Sequence, residues 1–433
     1  MFKKIIGTAG SRVIIAVLSL LMAFVSTRYL NAEGYGTIGM LVLGITIILL
    51  FTSLVGGTIL VYLTSRVTHS KLLFVSYLWA IFVSVVFWLV MQFVPMVPEG
   101  YETHVMLLSL MFSFANTNLY LMLGMEKIKS YNLITTLQFV LQMLALLFFF
   151  LVVEFRTVMA YLFSLYIAYG FSWLCSSWLV FGRLQWSGTT GLLPVIREIF
   201  RLGSMVQIAY IIQMMNYRLS YFIINEFIGR AGVGLFHLGN QLAEGTWVVG
   251  KSMAIVQYSR ISNTSDLEYA RRFTLRLLKL TFLATLLIII VLLLLPASFF
   301  ALFGKEFTGT HAIILSLAVG ILANGSGMMF SHYFAGRGKP HINTVGSSVG
   351  LVFTLILGFW LIPAYGIIGA GITASVSYSF IFVYELMMFI RIAKPSLKEF
   401  MFSRDDYRML KEEIRKMMKK DELKGESLSG NLP

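Results

Sequence analysis

A few ionisable side chains stand inside long apolar runs of this 433-residue chain: Arg12, Arg218, Glu244, Lys251 and, near a helix end, Glu385. A charge at membrane depth is costly and marks a bundle interior or an aqueous path. His237, Asn240, Gln241, Glu244 and Lys251 recur at helical spacing along one run, and such a stripe on a membrane helix marks a wet or protein-facing surface. Arg218 and Glu244 fall at similar depth on consecutive antiparallel spans. Two readings are open for them: a mutual neutralisation that locks two helices, or groups that meet a solute. Arg12 and Lys251 lie near span ends, where snorkelling to the headgroups competes with a functional role. Milder stripes, such as Ser109, Ser113, Asn116 and Tyr120, suit helix packing and are compatible with a sugar-lined cavity.

The absences narrow the chemistry. Aspartate occurs only at Asp266, Asp405, Asp406 and Asp421, all expected in loops or tail. No span offers a carboxylate pair for acid–base work, and no His or Cys cluster has metal-ligand spacing, so neither catalytic nor metal-binding residues are expected. Cys175 is alone, which removes a disulfide framework. The phosphate-binding pattern G-x-x-x-x-G-K-[ST] is missing. Short outer loops disfavour a membrane glycan polymerase or glycosyltransferase, and no filter-like ring suggests a channel. A transporter or flippase, not an enzyme, fits best.

The elements that must position these residues are membrane helices. Hydrophobic residues make up 58% of the chain and charged ones 12%, which excludes an ordinary soluble domain. Runs of roughly 20 apolar residues, the length that crosses hydrocarbon, predict six spans: Ser11–Leu30, Ile38–Thr64, Leu72–Val94, His104–Gly124, Asn132–Val153 and Val158–Phe181. Six more follow at Gly203–Ile228, Val233–Val256, Leu277–Phe299, His311–Phe334, Ile342–Ile362 and Ile367–Ile392. The basic start MFKKII reads as part of a retained first helix rather than a leader. Arg66, Lys71, Lys127, Lys129, Arg183, Arg197, Arg201, Arg260, Arg271, Arg272, Arg337 and Lys339 fall in alternate loops. This is the positive-inside pattern, and it predicts both termini in the cytoplasm. The net charge of +14 is thereby topological and calls for no nucleic acid. The connector Gly182–Leu202, with the amphipathic stretch Val195–Arg201, divides the chain. The expected organisation is a six-helix lobe over 1–199, a second over 200–392 and a basic tail over 393–433, within which Phe400–Lys420 has the pattern of an amphipathic surface helix.

Several short motifs occur in order along the whole chain. They are Arg28-Tyr-Leu-Asn-Ala-Glu-Gly-Tyr-Gly, Asn216-Tyr-Arg-Leu-Ser, Gly232-Val-Gly-Leu-Phe, Leu302-Phe-Gly-Lys-Glu-Phe, Gly336-Arg-Gly-Lys-Pro and Tyr365-Gly-Ile-Ile-Gly-Ala-Gly. In these the chain resembles the bacterial polysaccharide transporters that include O-antigen flippases, within the multidrug/oligosaccharidyl-lipid/polysaccharide (MOP) superfamily shared with the MATE drug antiporters. The resemblance implies an all-α polytopic membrane protein of about twelve helices in two lobes around a central cavity, lying in the bacterial cytoplasmic membrane. It implies flipping of an undecaprenyl-diphosphate-linked oligosaccharide for surface polysaccharide synthesis, driven by a proton or sodium gradient, with polymerase and chain-length proteins as associates. Members of the family often carry an aspartate where this chain has Ser220. On that reading Arg218, Arg12 and Lys251 contact the diphosphate, and His237, Asn240 and Gln241 line the cavity. Glu244 is then the ion-responsive group or the counter-ion of Arg218. A MATE-type cation antiporter is the alternative, although the balance of Arg12, Arg218 and Lys251 against Glu244 is basic.

Overall fold

The computed structural model describes residues 2–64, 66–182, 192–262 and 264–401. These residues form helices and connecting turns, with no strand among them. The logic is that of the bilayer: hydrocarbon offers no hydrogen-bond partner, so each crossing segment must satisfy its backbone internally. The helices are α1 (Phe2–Thr52), the short α2 (Thr58–Leu63), α3 (His69–Met91), α4 (Glu102–Gly124), α5 (Ile128–Leu147) and α6 (Val158–Phe181). They continue with α7 (Leu192–Phe227), α8 (Arg230–Gly245), α9 (Trp247–Ser262), α10 (Leu267–Leu294), α11 (Ala297–Phe300), α12 (Thr310–Gly336), α13 (His341–Ala393) and α14 (Leu397–Phe400).

Two of these helices are hairpins in disguise. At roughly 1.5 Å per residue, α1 and α13 would each be more than twice as long as the hydrocarbon core is thick. Both break at one residue with a left-handed φ: Asn31 at 56° in α1 and Gly366 at 62° in α13. In α13 the two arms run antiparallel along a row of small residues. A Cβ at Gly346 would meet Tyr384 at 3.1 Å, a Cβ at Gly350 would meet Ile381 at 2.5 Å, and the Thr354 and Ser377 hydroxyls hydrogen-bond at 2.7 Å. Counting both arms, and α8 with α9 as one interrupted pass, the described helices make twelve passes. Eight helices are long and apolar enough to cross by composition alone; α7, α8 and α9, which carry the predicted site residues other than Arg12, are not among them.

Some predicted spans are modified. The second is not continuous: α1 stops at Thr52, and Ser53–Gly57 form turns before α2. The eighth is split at Thr246. The ninth begins earlier, at Leu267, where the Asp266 carboxylate accepts the Glu268 and Tyr269 amides and caps α10. The predicted amphipathic stretch Val195–Arg201 forms the first turns of α7. Beyond Met401 the predicted surface helix lies outside the described residues. Just before it, Arg271 on α10 pairs with Glu399 at 3.0 Å, and Lys279 donates to the Met401 carbonyl at 3.0 Å.

The first half of the chain packs mainly through α4 on α3 and α6 and α5 on α1 and α6; the second half packs through α12 on α9, α10 and α13 and through α7 on α13. The main joint between them is α1 on α8. There the backbones touch: a Cβ at Gly36 would overlap the Arg230 carbonyl, and one at Gly234 would overlap the Ala32 carbonyl. Beside this seam the Glu306 carboxylate accepts the Ala32 amide at 2.7 Å, Phe303 packs edge-on to Phe24, and Phe307 packs edge-on to Tyr35. The motifs beginning at Arg28, Gly232 and Leu302 thus converge on one closure, at the end of the bundle opposite the arginine-rich loops. Overpacked interiors lose about 1–3 kcal/mol. Gly36→Leu is therefore expected to lower the apparent Tm of the detergent-purified protein by several degrees; an unchanged Tm contradicts so close a seam.

Candidate functional site

The central site is built by α7 and α8. Successive residues of a helix turn by 100°, so residues two apart face nearly opposite ways. Arg218 faces α8, while Asn216 faces α13, where it donates to the Ser347 carbonyl at 3.1 Å and accepts the Thr354 hydroxyl at 2.7 Å. Ser220, one turn beyond Asn216, is buried like it, so the site lacks a carboxylate there. On α8, His237, Asn240 and Glu244 recur at three- and four-residue spacing and share a face.

These faces meet in one network. The Arg218 guanidinium lies 3.6 Å from the Glu244 carboxylate, and its Nη1 donates to the Tyr221 hydroxyl at 3.2 Å. Its charge also sits over the Tyr221 ring, 5.4 Å from the centroid. The Tyr221 hydroxyl and His237 Nδ1 are hydrogen-bonded at 3.0 Å. Asn240 Nδ2 donates to the same Glu244 oxygen at 2.6 Å. Around them stand Phe236, Tyr217, Trp247 and Tyr378, ring against ring. The pair is not sealed: the side chains of Arg218 and Glu244 keep 31% and 21% of their accessible surface. A guanidinium has five N–H donors, and Glu244 and Tyr221 are the only partners found for Arg218 among the described residues. Donors remain for an anionic group.

The other predicted site residues lie elsewhere. Gln241 is turned off the Glu244 face, accepting the Tyr35 hydroxyl at 2.7 Å and donating to the Ser19 carbonyl at 3.2 Å. It ties both arms of α1 to α8. Lys251 on α9 is exposed, with its ammonium 5.6 Å from the Trp247 ring. Arg12 is exposed towards the arginine-rich end of the bundle. Sequence reasoning missed Tyr221 and Tyr217, because a tyrosine in an apolar run carries no signal of its own. It also left Glu385 at a helix end; the residue is buried to 2% exposure, and its Oε1 accepts the Ser331 hydroxyl at 2.6 Å.

No family model matches the chain. The fold resembles the inward-facing conformation of a multidrug resistance MATE family transporter of the MOP superfamily, with a TM-score of 0.66 at 16% identity, over 88% of this chain and 96% of the other. It equally resembles the lipid II flippase MurJ in an inward closed conformation, with a TM-score of 0.69 at 13% identity, over 91% of this chain and 88% of that one. The fold is the all-α polytopic membrane fold of these transporter structures. By sequence, a capsular polysaccharide biosynthesis protein, CapF, of Staphylococcus aureus is 36% identical over 76 residues, 18% of this chain and 19% of that protein. A putative O-antigen transporter of Shigella flexneri is 24% identical over 205 residues, 47% of this chain and 49% of that protein. The chain thus spans under a fifth of the first relative and about half of the second. Within this fold Arg218 and Glu244 face each other between α7 and α8, beside the joint with α1.

Removing one partner of a buried pair leaves an uncompensated charge, a loss of about 3–5 kcal/mol when fully buried and less here, where water reaches both. Glu244→Gln and Arg218→Gln are each expected to lower the Tm in detergent, and the double variant to be less destabilised than the two losses added. Strictly additive losses contradict a direct pair.

Proposed function

We propose that this chain is a flippase that moves an undecaprenyl-diphosphate-linked oligosaccharide across the bacterial cytoplasmic membrane, with both termini cytoplasmic. The observation that carries the reading is Arg218, a mid-membrane arginine with one carboxylate partner and spare donors, in a site walled by aromatic and amide side chains. A diphosphate cannot enter hydrocarbon unaided, and guanidinium groups bind its oxygens through charge-assisted hydrogen bonds. Arg12 and Lys251, exposed nearer the cytoplasmic side, receive the diphosphate before Arg218 does. Glu244 holds Arg218 in place while the site is empty and is displaced by the phosphate oxygens. The partial relatives, a capsular polysaccharide biosynthesis protein and a putative O-antigen transporter, support this substrate class. So does the likeness to a lipid II flippase.

The far-side seam of Gly36 on Gly234 is closed in this structure, although a shallow hollow of 370 Å³ borders it at the Asn31 break, and the tyrosine-walled cavity lies at the arginine-rich end. The cycle therefore alternates this state with one in which the seam parts and the cytoplasmic end closes. A MATE-type cation antiporter is the second reading; the buried Glu385 carboxylate, with one hydroxyl donor, is the observation that favours it.

In a deletion strain complemented with Arg218→Ala at wild-type expression, surface glycan is expected to fall at least tenfold. Arg218→Lys, which keeps charge but loses the planar fork, is expected to restore part of it. Normal glycan export by Arg218→Ala removes Arg218 from the substrate path.

A further inference from the structure

A smaller cavity, distinct from the Arg218 site, opens where α1 ends against α4 and α7. Its volume is 150 Å³, and Ser53, Tyr120, Gly203, Gln207 and Tyr210 are among its walls. At roughly 30 Å³ per water, it holds about five waters' worth of ligand, the scale of one sugar ring rather than a chain.

Its walls are fixed. Gln207 Nε2 donates to the Leu50 carbonyl at 2.7 Å, and its Oε1 accepts the Ser53 hydroxyl at 3.4 Å. A Cβ at Gly203 would overlap the Leu54 carbonyl, so α7 is pressed directly onto the end of α1. The two tyrosines, in contrast, are unspent. Tyr210 is 41% exposed, and neither its hydroxyl nor that of Tyr120 has a hydrogen-bond partner among the described residues. The Tyr120 hydroxyl lies within electrostatic reach of that of Tyr210 across the cavity. No carboxylate lines the cavity, which argues against a cation.

Tyrosine offers an apolar ring face and a hydroxyl at its edge. A pyranose offers the complement: apolar C–H faces with a rim of hydroxyls.

We propose that the cavity walled by Tyr120 and Tyr210 is a pyranose subsite, which holds the first sugar of a lipid-linked glycan. This rests on the flippase reading and adds to it the place where sugar identity is sensed before the headgroup reaches Arg218.

The test uses the full chain in nanodiscs and two probes: undecaprenyl diphosphate carrying one N-acetylhexosamine, and undecaprenyl diphosphate alone. One stacked aromatic contact corresponds to a preference of roughly three- to tenfold for the sugar-bearing lipid. Tyr210→Ala and Tyr210→Leu are expected to abolish that preference while leaving sugar-free binding intact, and Tyr210→Phe to keep most of it. The subsite is overturned if the wild type binds both lipids equally, if Tyr210→Ala keeps the preference, or if it weakens both lipids alike. In each of those cases the flippase reading stands. If the wild type binds neither lipid, the flippase reading itself fails and the subsite with it.

Discussion

Hydrocarbon gives a charge nothing to hold, and the central architecture of this protein follows from placing one arginine there. Arg218 needs Glu244, and Glu244 can reach it only if α7 and α8 stand in a fixed register. That register is set from three sides. Asn216 bolts α7 to α13 through Ser347 and Thr354, Gln241 bolts α8 to both arms of α1, and Gly234 lets the α8 backbone rest on Gly36. The aromatic surround of Tyr217, Phe236, Trp247 and Tyr378 limits the water around the pair, which strengthens it and raises the cost of leaving either member alone.

The two ends of the bundle differ in kind. At the far end the halves meet backbone to backbone, with aromatic rings and a single carboxylate–amide bond across the joint. Around those backbone contacts a buried cluster joins Leu30, Tyr35 and Ile38 of α1 to Leu238 of α8 and to Phe303 and Phe307. At the arginine-rich end the 150 Å³ tyrosine cavity lies between α1, α4 and α7, and a groove of 480 Å³ runs along Leu193, Pro194, Arg197, Glu198 and Arg201 at the start of α7.

Most of the helical framework was legible because membrane helices announce themselves by length and continuity. The Arg218–Glu244 pair was legible too, since helical rise alone places both at one depth. Three things were not. The break in the second span at Ser53–Gly57 hides in an apolar run, where hydropathy is blind to backbone geometry. The stripe on α8 joined Gln241 to Asn240, but adjacent residues point 100° apart, and Gln241 serves a different neighbour. The motifs that carry the family resemblance acquire a physical meaning only in three dimensions, because Ala32 and Glu306 lie 274 residues apart in sequence. Glycines 36 and 234 are kept small by each other's backbone, a reason that no local pattern contains.

The most direct measurement is leaflet exchange of lipid-linked glycan by the purified protein. Proteoliposomes would carry fluorescent sugar-bearing undecaprenyl diphosphate in the inner leaflet, with an impermeant quencher or glycosidase outside. A rise in accessible glycan that depends on the protein, is absent with Arg218→Ala and is not reproduced with a cationic drug as cargo is the predicted result. Exchange no faster than in empty vesicles, under an imposed proton or sodium gradient of either sign, would contradict a flippase.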